Sequence, residues 1–216
     1  MTDARAFYGR WASVYDRLAS APLVGDWRER AADALDLETG DTVVEMGCGT
    51  GANVPVLRRR VGPEGQVVGL DLTREMLQRA RRRPERVDRR VDFVLADAAR
   101  PPVANADAVL ATFVAGVFAD PAAAVDAWCD CVRPGGRVAL LNFQRSDRPL
   151  AAPLNVAFEG FVRLSAPGTR LSRQSHATAF EQRVATARDR LTERTVDRQY
   201  ETFGGGFLGL LSGRVP

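Results

Sequence analysis

The apolar and polar positions of this chain fall into short apolar runs separated by amphipathic stretches. TVVEM (42–46), VVGLD (67–71), VDFVLA (91–96), DAVLAT (107–112) and RVALLNF (137–143) are brief, valine- and leucine-rich and almost continuous. That pattern predicts strands buried on both faces of a parallel sheet. Helical stretches lie between them. One opens at Asp26, with Glu29 three residues on in a capping-box arrangement, and runs to about Leu35. Others cover Pro55 to Arg60, TREMLQRARRR with Thr73 as its cap, and AAAVDAWCDCV, which ArgProGlyGly at 133–136 ends.

The two ends of the chain follow different patterns. Phe7, Trp11, Val14 and Leu18 are spaced four, three and four apart, one face of a helix. Beyond Gln144, Leu154, Ala157, Phe158, Phe161 and Val162 form an apolar helical stripe. A polar connector around His176, a helix to about Leu191, and two strands, TVDRQYETF and FLGLLSG, follow. The last two flank Gly204–Gly206 in hairpin-like succession. Strands alternating with helices place the chain in the α/β class. The expected fold is Rossmann-like and doubly wound: a mostly parallel seven-stranded sheet, helices on both faces, and an antiparallel C-terminal strand. One domain over 1–216 is the simplest count, with N-terminal helices at 1–36 and a helical insertion at 145–192.

Composition narrows the picture modestly. Of 216 residues, 45% are hydrophobic and 26% charged, ordinary values for a globular protein, and the net charge of +3 demands no polyanionic partner. All 30 basic residues are arginine, and neither lysine nor isoleucine occurs, so arginine clusters carry less meaning than usual. Cys48, Cys129 and Cys131 beside the lone His176 cannot supply a structural zinc site, and no metal is expected. An odd cysteine count, with neither an apolar leader nor a span-length apolar run, points to reduced thiols in the cytoplasm.

Candidate chemistry sits after the first strand, where VVEMGCGTGANV (43–54) places Gly47, Gly49 and Gly51 within five residues. Strand, glycine loop and helix form the nucleoside-binding corner of a doubly wound fold, with free amide donors at the helix N-terminus. Gly47, Gly49 and Ala52 fit the dinucleotide pattern G-x-G-x-x-G/A, and Asp71 is placed to hold a ribose hydroxyl. Other features favour a cationic ligand. Glu45 ends the first strand, where a carboxylate suits an ammonium better than a pyrophosphate. Asp97 follows the third strand, ArgProGlyGly precedes the fifth, and no second domain brings a hydride acceptor.

In these motifs, taken in order, the first two thirds of the chain resemble the class I S-adenosylmethionine-dependent methyltransferases. The nearest likeness is to quinone-biosynthesis C-methyltransferases and small bacterial phospholipid N-methyltransferases. It is carried by TrpAlaSerValTyrAspArgLeu (11–18), GlyLeuAspLeuThrArgGluMetLeu (69–77) and ValArgProGlyGlyArgValAlaLeuLeu (132–141). The resemblance implies S-adenosyl-L-methionine as cofactor. Its methionine part would lie on Glu45, Gly47, Cys48, Gly49, Thr50 and Gly51, its ribose on Asp71 beside Leu72, and its adenine on Asp97 and Ala98. It also implies that Thr112 faces the sulfonium and that Tyr15 covers the cofactor. The 145–192 insertion would build the acceptor side, with Phe113, Phe158 and Phe161 against an apolar or amphiphilic, quinone- or lipid-like acceptor.

Rival readings are a non-catalytic cofactor-binding regulator, an RNA methyltransferase and a nicotinamide oxidoreductase. ThrPheValAlaGlyValPhe (112–118) stands where amino-group base methyltransferases carry Asn/Asp-Pro-Pro-aromatic, and no cysteine is placed for pyrimidine C5 chemistry. A nucleic-acid partner is therefore disfavoured. The arginine-rich run 79–90 could meet an anionic membrane but reads more simply as a solvated helix end. His176 reads as a surface residue before a general base, and Cys129 and Cys131 as packing residues.

Overall fold

The structure is a computed structural model, and it describes residues 22–82, 90–146 and 170–216. Its elements in chain order are α1 (Pro22–Asp33), β1 (Thr42–Met46), α2 (Val54–Val61), β2 (Gln66–Asp71), α3 (Arg74–Ala80), β3 (Val91–Leu95), β4 (Ala106–Thr112), α4 (Pro121–Asp130), β5 (Val132–Phe143), α5 (Arg170–Arg194), β6 (Val196–Phe203) and β7 (Leu208–Arg214). Single 3₁₀ turns at Ala115–Val117 and Gly204–Gly206 complete it.

The strands form one seven-stranded sheet in the order β3-β2-β1-β4-β5-β7-β6. β1 to β5 run parallel, and β7 is antiparallel to both β5 and β6. The expected fold class is therefore the observed one. Its order reverses between β1 and β4, so a crevice opens beyond the carboxyl ends of those two strands.

Two apolar layers explain why the runs are continuous. Val44, Met46, Val109, Leu140 and Leu211 face one way, towards Trp128 of α4 and Ala187 and Leu191 of α5. Val43, Val67, Leu110, Ala139 and Leu210 face the other, towards α1 and α2. Each fully buried Val or Leu contributes about 1.5–3 kcal/mol over exposure, so a strand apolar on both faces is held at a fixed height and register.

Four boundaries differ from expectation. Asp26 lies inside α1, which begins at Pro22, so it is not the cap. Thr73 occupies the N-cap of α3, but its hydroxyl bonds no helix amide there. ArgProGlyGly does not stand between helix and strand but inside β5. Gly135 takes φ +84°, Gly136 packs on the Asp107 carbonyl, and the pairing jumps from Ala106↔Val132 to Ala108↔Arg137. His176 lies on the backbone of α5, not in a connector. That helix is held by Val184, Ala187 and Leu191, and Phe180 packs so closely on Gly116 that a Cβ there would lie 2.2 Å from the ring. The expected N-terminal helix at 7–18 and the helix carrying Phe158 and Phe161 lie outside the described residues, as does Tyr15.

Candidate functional site

The glycine loop folds sharply because three of its residues take left-handed backbone conformations: Gly47 at φ +67°, Gly49 at +54° and Gly51 at +73°. Their reasons differ. A Cβ on Gly47 would lie 2.7 Å from the Val114 side chain, and one on Gly51 would press on Ala80 and Phe93. Gly49 is the opposite case, with nothing within 4 Å of where its Cβ would be. Two glycines are thus required by packing, while the third leaves open space at the mouth of the crevice.

The loop spends its amides on the protein. Cys48 N donates to Leu70 O (2.8 Å), Gly51 N to Cys48 O (2.9 Å) and Gly49 N to Asp71 Oδ2 (2.9 Å). These three loop amides are therefore not offered to a phosphate. Cys48 is buried against Gly69, whose missing side chain makes room for the sulfur. Burial, then the charges of Glu45 and Asp71, push the Cys48 thiol well above its usual range, so it stays protonated and is no nucleophile. Thr50 is buried beside it.

Two carboxylates, Glu45 and Asp71, bracket the loop. Glu45, only 1% exposed at the end of β1, accepts from Asn53 Nδ2 at 2.6 Å. The same nitrogen donates to Thr112 Oγ1 at 3.1 Å, joining the ends of β1 and β4. Asp71 accepts from Gly49 N and, through Oδ1, from Thr73 N at 2.7 Å. Burial raises the pKa of Asp71, and those amide bonds pull it partly back. Each carboxylate oxygen has two lone pairs, so Asp71 keeps acceptor capacity towards the crevice.

The far side of the crevice is built by β3 and α4. Asp97 is exposed, and its Oδ1 accepts from Ala99 N at 2.9 Å. Ala98 is buried, its carbonyl fixed by the indole N–H of fully buried Trp128 at 2.7 Å. Leu72 and Leu95, beside the two acids, stay 42% and 46% exposed, which leaves apolar surface at the rim.

Phe113, directly after β4, takes a left-handed conformation (φ +58°), rare for a bulky residue, with its amide donating to Leu141 O at 2.8 Å. Its ring stacks on Phe143 at 4.4 Å between centroids. The fold therefore gathers Glu45, Gly47, Cys48, Gly49, Thr50, Gly51, Asp71, Leu72, Asp97, Ala98, Thr112 and Phe113 along the carboxyl edge of β1–β4. Tyr15, Phe158 and Phe161 lie outside the described residues.

Three neighbours escaped the sequence reading. Asn53 stands at the N-cap of α2 but uses its side chain on Glu45 and Thr112 instead of capping. Val114 and Trp128 support Gly47 and Ala98, and only their nearness to marked strands could have drawn notice. Cys129 and Cys131 are buried in the core, and burial lifts both thiols to about 11, in keeping with packing. Of the arginine run, Arg90 pairs with Glu64 and Arg81 donates to Phe93 O, while 83–89 lie outside the described residues. Among the described residues no cluster of potential metal ligands occurs, and no helix is long and apolar enough to cross a membrane.

Comparison with known proteins places these features in context. The family model described as "Methyltransferase domain" matches residues 43–136. The chain is 35% identical over 148 residues to 2-phytyl-1,4-naphtoquinone methyltransferase of Thermosynechococcus vestitus, covering 66% of this chain and 65% of that protein. It is 30% identical over 157 residues to the ubiquinone/menaquinone biosynthesis C-methyltransferase of Coxiella burnetii, covering 69% and 62%. The chain thus spans under two thirds of the length of these curated relatives. Among solved structures, the fold resembles the N-methyltransferase NodS of Bradyrhizobium japonicum in complex with S-adenosyl-L-homocysteine. That likeness has a TM-score of 0.59 at 16% identity and covers 93% of this chain and 91% of the other.

Proposed function

We propose that this chain is a class I S-adenosylmethionine-dependent methyltransferase, a reading supported by its methyltransferase-domain match and its quinone-methyltransferase relatives, and that it transfers a methyl group to a small quinone-like or lipid-like molecule. The observation that carries the reading is Asp71, held by the Gly49 and Thr73 amides beside the open space over Gly49, in a loop whose nearest amides are already committed. Such a site keeps negative charge for a cationic ligand and offers little to a pyrophosphate.

The residues fit the cofactor. The open face of Gly49 admits it, and Glu45 suits the ammonium of its methionine part. Asp71 accepts from the ribose hydroxyls. The exposed Leu72 and Leu95 flank a flat base whose amino group Asp97 would read beside Ala98. When bound, S-adenosylmethionine supplies a methyl group already activated on a sulfonium sulfur. The protein's own work is then positioning and exclusion of water. Thr112, tied to Glu45 through Asn53, fixes the wall nearest the reacting centre, and Phe113 on Phe143 shapes the acceptor side.

Methyl-labelled cofactor incubated with the protein and an organic extract of cells tests the proposal. Label entering an extractable small molecule is expected. Label confined to RNA, or cofactor bound without turnover of any acceptor, would sink it in favour of the corresponding rival.

A further inference from the structure

A cleft of about 760 Å³ lies between α5 and the ends of β5 and β6. Val184 and Leu211 give it an apolar floor. One turn of α5 before Val184, on the same face of that helix, Phe180 packs on Gly116 just after β4, so the cleft runs to the carboxyl edge of β4, where the methyl-transfer site is placed. Its polar wall is a closed triangle. Arg188 donates through Nη1 to Gln144 Oε1 at 2.7 Å and to Tyr200 Oη at 2.9 Å, and the Tyr200 hydroxyl donates to Gln144 Oε1 at 2.7 Å. Gly209 makes this possible: a Cβ there would lie 2.4 Å from Gln144 Oε1 and 2.8 Å from Tyr200 Oη.

The charge on Arg188 distinguishes it from its neighbours on the same helix. Arg190 and Arg194 are paired with Asp126, Asp130 and Glu193. Among the described residues no carboxylate lies within ion-pair distance of Arg188, and both of its oxygen partners are neutral. Glu181 and Asp189 also line the cleft beside Arg145 and Arg198, and neither of these carboxylates pairs with Arg188. A guanidinium fixed by two neutral oxygens above an apolar floor is a receptor for a planar anionic group.

We infer that this cleft is the acceptor pocket and that it selects a flat apolar molecule bearing an acidic oxygen, a carboxylate or phenolate, which docks on Arg188. The inference rests on the methyl-transfer reading for the role of the occupant, while the class of occupant follows from the cleft itself.

Calorimetric titration of 2-naphthoate and of its neutral counterpart 2-naphthalenemethanol into the full chain, with and without S-adenosylhomocysteine, tests it. A charge-assisted bond should make 2-naphthoate at least about tenfold tighter. In Arg188→Gln the preference should shrink to within about twofold, with homocysteine-cofactor affinity unchanged to within about twofold. Should that variant fail to fold, Arg188→Lys, which keeps the charge but loses the planar fork, should retain only part of the preference. Equal binding of the two probes by the wild type, undetectable binding of 2-naphthoate, or a preference that survives the loss of Arg188 would overturn the inference. So would displacement of S-adenosylhomocysteine by 2-naphthoate, which would place the anion in the cofactor crevice. Absence of S-adenosylhomocysteine binding would instead refute the methyltransferase reading, and the anion preference would still be decided by the titration without it.

Discussion

The amino end of the sheet and the carboxyl ends of β1 and β2 treat charge in opposite ways. At the amino ends of the strands, charges meet opposite charges. Asp107 joins Arg133 and the Thr42 amide, Arg137 meets Asp197 at 2.5 Å, and Arg214 reaches Asp36 and Asp197. Asp126 clasps Arg190 and Arg194 across α4 and α5. At the carboxyl ends, Glu45 and Asp71 accept only from neutral amides in the bonds described, and Phe113 stands in an unfavourable backbone region. The first end consolidates the fold, while at the second Asp71 and the open space over Gly49 border the crevice. That asymmetry is the physical content of the functional claim, and it can be broken at either end.

The largest effect is expected at Gly49. A valine there would have to hold φ +54°, at a cost of about 1–2 kcal/mol or more, and would fill the space left open at the crevice. Cofactor affinity should fall more than about 100-fold while the melting temperature drops only a few degrees. A collapsed melting temperature with binding retained by the folded fraction would make Gly49 purely structural.

Next comes Asn53→Ala, which removes a donor from buried Glu45 and severs its link to Thr112. Stability should fall by about 1–3 kcal/mol in denaturant melts, with cofactor affinity falling too. An unchanged affinity would uncouple Glu45 from the site.

The pH dependence is subtler. Burial raises the Asp71 pKa above its ordinary 3.8. The ionised form that best accepts ribose hydroxyls is therefore lost, as pH falls, before a free aspartate would be protonated. The same raised value means that ionising Asp71 costs the fold, so its own contribution to stability diminishes as pH rises through that value. Cofactor affinity should decline on acidification from neutral pH in the wild type, and the component due to Asp71 should vanish in Asp71→Asn. A wild-type affinity that rises on acidification would contradict this.

The smallest effects should have opposite signs at the two ends. Asp126→Asn weakens two partly exposed ion pairs and should cost about 1 kcal/mol with cofactor binding intact. Asn142, 2% exposed at the end of β5, makes no carboxamide hydrogen bond among the described residues. Asn142→Leu should therefore be neutral or stabilising in thermal melts. A loss above about 2 kcal/mol would show that the amide is satisfied after all.

What was legible in the sequence follows the same division. The glycine spacing, Glu45 and Asp71 stood out because short-range backbone needs and charge at strand ends are written locally. Strands buried on both faces were equally plain. Asn53 was hidden because an Asn before a helix looks like an ordinary cap, and its partner Thr112 lies 59 residues away. The helix through His176 was missed at its start because its stabilisation is tertiary. Val184, Ala187 and Leu191 form too sparse a stripe, and the ion pairs to α4 cannot be read from one segment. ArgProGlyGly reads as a stop signal, yet a left-handed Gly135 lets β5 run through it.

The central claim, that the carboxyl edge of β1–β4 is a cationic-nucleoside site, is tested most directly by calorimetry. S-adenosylmethionine and NAD would each be titrated into the wild type and Asp71→Ala. We predict a single S-adenosylmethionine site weakened by about 1–3 kcal/mol in Asp71→Ala, as its ribose loses a charged acceptor, and no specific NAD binding. NAD binding as tight as that of S-adenosylmethionine, or unchanged S-adenosylmethionine affinity in a folded Asp71→Ala protein, would contradict it.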